Sequence, residues 1–311
     1  MTLVALILAL LLEHVRALPE RWRGLAPLGF VAERTARCLN DGSAARGRLA
    51  WLLLVGLGTL GTAVAYWLAW ELHPVFAFAF NIGALYLCMG FRHGTHHFAE
   101  IHLALRMGEL ERARTLLAAW RGGRYDEASA SEIARLSIEQ ALVVAHRSVF
   151  GVVFWFAILP GPSGAVMYRL ARYLHDEWGA RRASGEPAGG DFGRFAQRAF
   201  EALDWVPVRI TATVYAVMGN FEDGVYCWRS QAVLWPDKSS AILIASGGGA
   251  LGVRLGMPVH ESGVIVDRPE MGLGSEAGVD HLQSTVGLLW RALLVCLFLL
   301  MLLGAAGWVG R

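Results

Sequence analysis

The stretch Leu49–Trp70, LAWLLLVGLGTLGTAVAYWLAW, decides the fold, because it carries no charged side chain from end to end. At about 1.5 Å of rise per residue, a helix of that length covers the roughly 30 Å hydrocarbon core of a bilayer. Tyr66, Trp67 and Trp70 gather at its end, where amphipathic rings favour the membrane–water interface. Two further windows read the same way: Pro74–Phe91 is uncharged, and Ala292–Gly310 is leucine-rich and closed by Trp308 and Arg311.

Composition agrees. With 55% apolar residues, 17% charged residues, 12 Trp and a mean hydropathy of +0.42, the 311-residue chain is excluded from the ordinary soluble classes. The expected fold is all-α: a polytopic integral membrane protein, one domain over 1–311, with spanning helices, a re-entrant hairpin and amphipathic cytoplasmic helices. Thr2–Leu12 is shorter than a span and has no basic residue ahead of it, so it reads as an uncleaved anchor rather than a signal peptide.

Charge placement orients the spans. Arg16, Arg21, Arg23, Arg34, Arg37, Arg46 and Arg48 lie in 13–48, and Arg92, Arg106, Arg112, Arg114, Arg121, Arg124 and Arg135 follow Phe91. The positive-inside rule puts both segments in the cytoplasm and makes 49–91 a hairpin turning at Glu71-Leu72-His73. Ser148–Leu159 and Gly164–Leu174 are apolar halves around the breaker Pro160-Gly161-Pro162-Ser163. The basic segment 176–205 that follows predicts a hairpin over 148–174 returning to the cytoplasmic side. Cys38, Cys88, Cys227 and Cys296 show no paired spacing, so neither a disulfide framework nor a metal knuckle is implied.

Val206–Met218 is apolar except for Arg209 and is too short to cross. An ionisable residue in such a place calls for a partner or an anionic ligand, and Asp204 supplies a nearby acceptor or a helix cap. Two cytoplasmic helices carry most other polar candidates. One follows His93, His96, His97, Glu100 and His102 and continues to Trp120, with Leu110, Ala113, Leu117 and Trp120 as its apolar stripe. The other runs from Ser131 to about Ala145. Ser129 and Glu132 have capping-box spacing, and Glu132, Arg135 and Glu139 share a polar face on which Arg135–Glu139 reads as an i,i+4 pair.

His93, His97 and Glu100 could converge on Zn²⁺, yet the pattern is not HExxH; a partly buried polar face or phosphate contacts from protonated rings is the preferred reading, with no metal site assigned. Gly247-Gly248-Gly249-Ala250-Leu251-Gly252 lacks the spacing of either nucleotide motif and reads as close helix packing through small residues. Ser184–Gly190 and Gly272–Gly278 read as loops.

With those residues in hand, the chain resembles the integral-membrane CobD/CbiB family of cobalamin biosynthesis, together with its relative AmpE. The family's R-x4-H, apolar helix and G-D-L-x2-A-R are matched by Arg92, His97, Gly108-Glu109-Leu110, Ala113 and Arg114. Its E-I-x-R-x4-E leading to F-W is matched by Glu132-Ile133, Arg135, Glu139 and Phe154-Trp155. Gly161, Gly164-Ala165, Tyr168-Arg169, then Pro207 and Arg209, then Gly249–Leu255 continue the series in order over nearly the whole length. The departures are acidic. An expected A-E-N region reads Ala141-Leu142-Val143, N-T-L-D has become Arg172-Tyr173-Leu174-His175, and paired aspartates have become Phe200 and Glu201. There, and at Leu203–Arg209, the chain looks more like AmpE.

The resemblance implies ATP-dependent amide formation between adenosylcobyric acid and an aminopropanol phosphate, with Mg²⁺, in a bacterial cytoplasmic (inner) membrane. Its partners would be the lipid bilayer, corrinoid and phosphate-bearing small molecules and no nucleic acid, with self-association left open. Arg92, Arg124, Arg209 and Arg254, with Asp204, are the expected phosphate- and substrate-binding set. His97 or Glu139 is the expected base. The AmpE side of the resemblance implies instead a membrane regulatory protein without chemistry.

Overall fold

The computed structural model describes residues 2–15, 31–35, 43–179 and 190–309, the side chains of Thr2, His14, 91–93 and 307–309 excepted. Most of the arginine-bearing segment 16–42, Cys38, the loop residues 184–189 and the side chains of Arg92 and His93 therefore lie outside the described residues. The helices are α1 (Thr2–Val15), α2 (Ala44–Leu72), α3 (Pro74–Cys88), α4 (Phe91–Arg106), α5 (Leu110–Arg121), α6 (Ala130–Ala145), α7 (Gly151–Ile158), α8 (Ser163–Leu174), α9 (Gly190–Met218), α10 (Phe221–Gln231), α11 (Lys238–Leu251) and α12 (Val279–Val309). Short strands interrupt the series before α12: β1 (Val253–Gly256), β2 (Val259–Glu261), β3 (Val264–Val266), β4 (Glu270–Met271) and β5 (Ser275–Glu276).

Three helical runs among the described residues are long and apolar enough to cross a membrane: Ala44–Leu72, Ala130–Ile158 and Val279–Ala306. The first contains the expected span Leu49–Trp70, and the last covers the expected Ala292–Gly310 as far as Ala306 but begins well before Ala292. The second was not expected. It arises because α6 continues through a π-helical turn at His146–Phe150 into α7, so the first half of the expected 148–174 hairpin is the end of a longer helix. Pro74–Phe91 is corrected in the other direction. The helix stops at Cys88 after 15 residues, about 22 Å, three residues before the expected end.

The described residues form two compact units, Met1–Gly90 with Gly151–Trp205, and Phe91–Phe150 with Val206–Arg311. In the first, α2 packs on α3 and α8, α1 packs on α3, and α7 packs on α8. The turn at 71–73 is found: Pro74 opens α3, and His73 Nδ1 accepts the Val75 N–H at 3.2 Å. Leu52, Leu57, Leu60, Val64 and Trp67 on α2 are exposed, as lipid-facing side chains are. Between α7 and α8, Gly161 has φ +60, and a Cβ there would strike the Tyr66 ring.

Asp204 sits in the middle of α9, so it is not a helix cap, and Val206–Met218 is the second half of a 29-residue helix that contains Pro207. Asp204 is fully buried and accepts the hydroxyl of the fully buried Tyr168 at 2.8 Å.

In the second unit α6 is central, packed by α4, α5, α11 and α12, with Ile133, Leu136, Ile138 and Leu142 fully buried. The helix expected from His93 to Trp120 is broken at Met107-Gly108-Glu109, where Gly108 has φ +75; Ala113 and Leu117 of the expected stripe are buried. The small-residue reading of 247–249 holds. Side chains at these positions would strike Leu142, Gly272 and Asp223 respectively. α11 ends at Gly252 in the left-handed region. From there β1 pairs antiparallel with β4 and parallel with β5, while β2 and β3 form a separate hairpin. Its two-residue turn, Ser262-Gly263, has positive φ at both residues, the geometry that matches the twist of paired strands.

Candidate functional site

Helix α6 starts with the expected capping box. The Ser129 hydroxyl accepts the Glu132 N–H at 3.2 Å, and Glu132 Oε2 accepts the Ser129 N–H at 2.7 Å. Glu132, Arg135 and Glu139 then fall on one face, as their spacing requires. That face is not solvated. It is the surface on which residues 256–268 are seated.

Each of the three side chains holds part of that segment. Glu132 Oε1 accepts both the backbone N–H of His260 at 3.1 Å and a contact from its ring Nδ1 at 2.9 Å. Arg135 donates to the carbonyl of Pro258 at 2.7 Å. Glu139, 1% exposed, accepts the Gly256 N–H at 2.9 Å and a two-pronged pair from Arg268 at 3.0 and 3.1 Å. Arg121 approaches the same carboxylate at 3.7 Å. The expected Arg135–Glu139 surface pair is thus corrected: both side chains are buried, and their hydrogen bonds go to a segment more than a hundred residues away in sequence. The Arg268 fork and the Gly256 N–H together occupy both oxygens of Glu139.

Arg268 also lies over the Trp235 ring, 5.1 Å from its centroid, and donates to the carbonyl of Gly256 at 3.1 Å. Beside this clamp the hairpin meets the α5–α6 connection. The Ser262 N–H donates to the Arg124 carbonyl at 2.7 Å, and the buried Tyr125 hydroxyl donates to Glu261 at 3.3 Å. Burial pushes the Tyr125 phenol up to about 12, although Arg121 nearby opposes it. An open cleft of about 210 Å³ results, lined by Arg124, Asp126, Glu127, His260, Ser262 and Gly263. It joins a guanidinium, an imidazole and two carboxylates at one opening, a set suited to a phosphate and to proton transfer.

Of the residues expected from the sequence, Arg124 lines this cleft and Glu139 lies at the clamp. Arg254, on β1, faces Glu270 at 4.0 Å. His97 stacks on Trp120 with centroids 6.3 Å apart, while Glu100 pairs with His96 at 3.2 Å. Among the described residues no group of three or more His, Cys, Asp or Glu gathers as for a metal. Arg209 lies in the Val206–Met218 half of α9, and Asp204 in the other compact unit. The sequence reading missed Arg268, Arg121 and His260. The β-branched triplet Val264-Ile265-Val266 after Ser262-Gly263 was the available hairpin signal, at the lower limit of strand length.

Comparison with known proteins places this arrangement in context. The model of a family described as "CobD/Cbib protein" matches residues 6–289. A protein of Stutzerimonas stutzeri named "Cobalamin biosynthesis protein CobD" is 33% identical over 97% of this chain and 96% of its own. A protein of the same name from Chromobacterium violaceum is 32% identical over 92% and 93%. "Cobalamin biosynthesis protein CbiB" of Salmonella typhimurium is 26% identical over 96% and 97%. No solved structure matches. These relatives give no support to the AmpE-like regulatory alternative. A match over nearly the whole length, to a family model and to relatives of the same length, makes this chain a member of the CobD/CbiB family of cobalamin biosynthesis proteins.

Proposed function

We propose that this chain is a synthase that joins the activated carboxyl of a corrinoid acid to the amine of an aminopropanol or its phosphate, at the expense of ATP. The observation that carries this reading is the cleft beside the clamp, where Arg124 and His260 share one opening with Asp126 and Glu127. The cleft is below the roughly 300–1,000 Å³ of pockets that enclose whole drug-sized ligands. It suits a phosphate-bearing end, with the corrin ring remaining outside.

Arg124 would take phosphate oxygens. Its present partner is the exposed Asp126 at 2.8 Å, a pair worth roughly 0–1 kcal/mol and so readily exchanged for a ligand. The residues present fit Mg²⁺, which is commonly held by one or two carboxylates beside substrate phosphates. Asp126 and Glu127 are those carboxylates, and the ion would neutralise phosphate charge during transfer. Arg92 and Arg209 are further anion-binding residues in this reading, with His97 as a substrate contact, whereas Arg254 is engaged by Glu270 on the sheet and Asp204 is buried against Tyr168. Glu139 contributes by holding Arg268 and the segment that carries His260. The multi-pass topology and the bacterial cytoplasmic membrane belong to the same proposal, since the cleft must meet cytoplasmic ATP.

Complementation tests it. A strain blocked at the amide-forming step and fed cobyric acid should regain cobalamin-dependent growth when this chain is expressed. Failure to restore growth, with the protein present in membranes and the Salmonella CbiB relative active in the same strain, would overturn the proposal.

A further inference from the structure

Resting on that reading, we infer that His260 is the acid–base group of the cleft and that Glu132 is its positioning residue. The carboxylate of Glu132 is only an acceptor at neutral pH, so the ring nitrogen 2.9 Å from it, Nδ1, carries hydrogen. In the neutral ring this leaves the lone pair on Nε2, the nitrogen that has no hydrogen-bond partner among the described residues. The same Glu132 oxygen binds the His260 backbone N–H, and its other oxygen is fixed by the N-cap of α6. Backbone and ring are thus held by one carboxylate that a helix end holds in turn. Such a carboxylate–imidazole pair sets tautomer and direction. His260 is 39% exposed in its side chain and lines the cleft with Arg124, so Nε2 is within reach of an entering amine.

The step balances as follows. The corrinoid carboxylate takes the γ-phosphoryl of ATP, giving an acyl phosphate and ADP. The neutral amine nitrogen attacks the acyl carbon, the C–N bond forms, and the nitrogen proton passes to Nε2. The C–O bond to phosphate breaks with its electron pair on the phosphate oxygen. Nε2 returns the proton to that oxygen, releasing the amide and hydrogen phosphate and restoring the imidazole. Arg124 is placed to hold the departing phosphate.

Steady-state assays on full-length protein in membranes or detergent test this. His260→Ala should lower kcat about a hundredfold or more, with KM for the amine and for ATP changed no more than about threefold, and added imidazole should restore part of the rate. Glu132→Gln should lower kcat less and gain nothing from imidazole. Independently of turnover, carbethoxylation of His260 by diethyl pyrocarbonate, read by mass spectrometry, should be slowed by ATP or by aminopropanol phosphate; separate arms show which phosphate occupies the cleft. A His260→Ala protein as active as wild type would overturn the inference while leaving the proposed function standing. So would a loss of rate that imidazole does not restore, or labelling indifferent to both ligands. A wild type without synthase activity, where the Salmonella relative is active, would remove the proposed function and the inference with it.

Discussion

Arg268 grips Glu139 through both guanidinium nitrogens across 129 positions of sequence, with 10% and 1% of the two side chains exposed. The pair fastens the segment that ends the β hairpin to the middle of α6.

Removing one partner should therefore cost far more than the few tenths of a kcal/mol of a surface i,i+4 pair. Glu139→Leu strands a buried guanidinium and is expected to lower stability by about 3–5 kcal/mol. The double variant Glu139→Leu, Arg268→Leu should recover a large part of that loss. Thermal unfolding in detergent checks it, and a single variant as stable as wild type would mean that the two side chains are not paired.

Arg124 and Arg254 separate by place. If phosphate enters the cleft, Arg124→Gln should weaken binding of ATP or aminopropanol phosphate about tenfold, the lower end for a charge-assisted contact because the side chain is well exposed. Arg254 faces Glu270 on the sheet, and Arg254→Gln should leave binding within about twofold. Calorimetric titration of both variants reads this directly, and the reverse order would move the phosphate site to the sheet.

The phenol of Tyr125 gives a pH dependence of definite sign. Its folded value, about 12, lies above the ordinary 10. Between those values the unfolded chain loses the proton and the folded chain keeps it. Stability should thus fall by about 1.4 kcal/mol per pH unit from this one group over that window, and level off above it. Tyr125→Phe should show a shallower alkaline limb in thermal unfolding. An unchanged limb would show that another group controls it.

Sidedness follows from the need for cytoplasmic ATP and from arginine placement. A cysteine placed at His73 should react with an impermeant thiol reagent in intact cells. Cysteines at Ser262 and Gly185 should react only after the membrane is opened. Efficient labelling of Ser262 from outside would contradict the proposed ATP-dependent role.

Much of this was legible in the chain because it rests on local rules. Charge-free length announced α2, capping-box spacing announced the start of α6, and the glycine run announced close packing of α11. What stayed hidden is non-local. Nothing in Glu132, Arg135 or Glu139 says that the face they share will be covered, since a solvated polar face has the same spacing. Strands of two to four residues leave almost no periodicity to read, so β1–β5 vanished among glycines. The break at Gly108 was hidden because a single glycine is tolerated within helical patterns. The end of α3 at Cys88 was missed because apolar composition continues past it.

The clamp also has a consequence for the order of biogenesis. Ribosomes add roughly 5–20 residues per second, so the 129 positions separating Glu139 from Arg268 correspond to about 6–26 s of synthesis. During that interval α6 exists with its acids made and their partner not yet translated, while the apolar continuation through α7 is already available for membrane insertion. A chain interrupted anywhere between α9 and Arg268 would carry that charged face permanently without its cover. Such a fragment should be recognised as unassembled and degraded, so early stop codons in this interval should leave no truncated protein in the membrane.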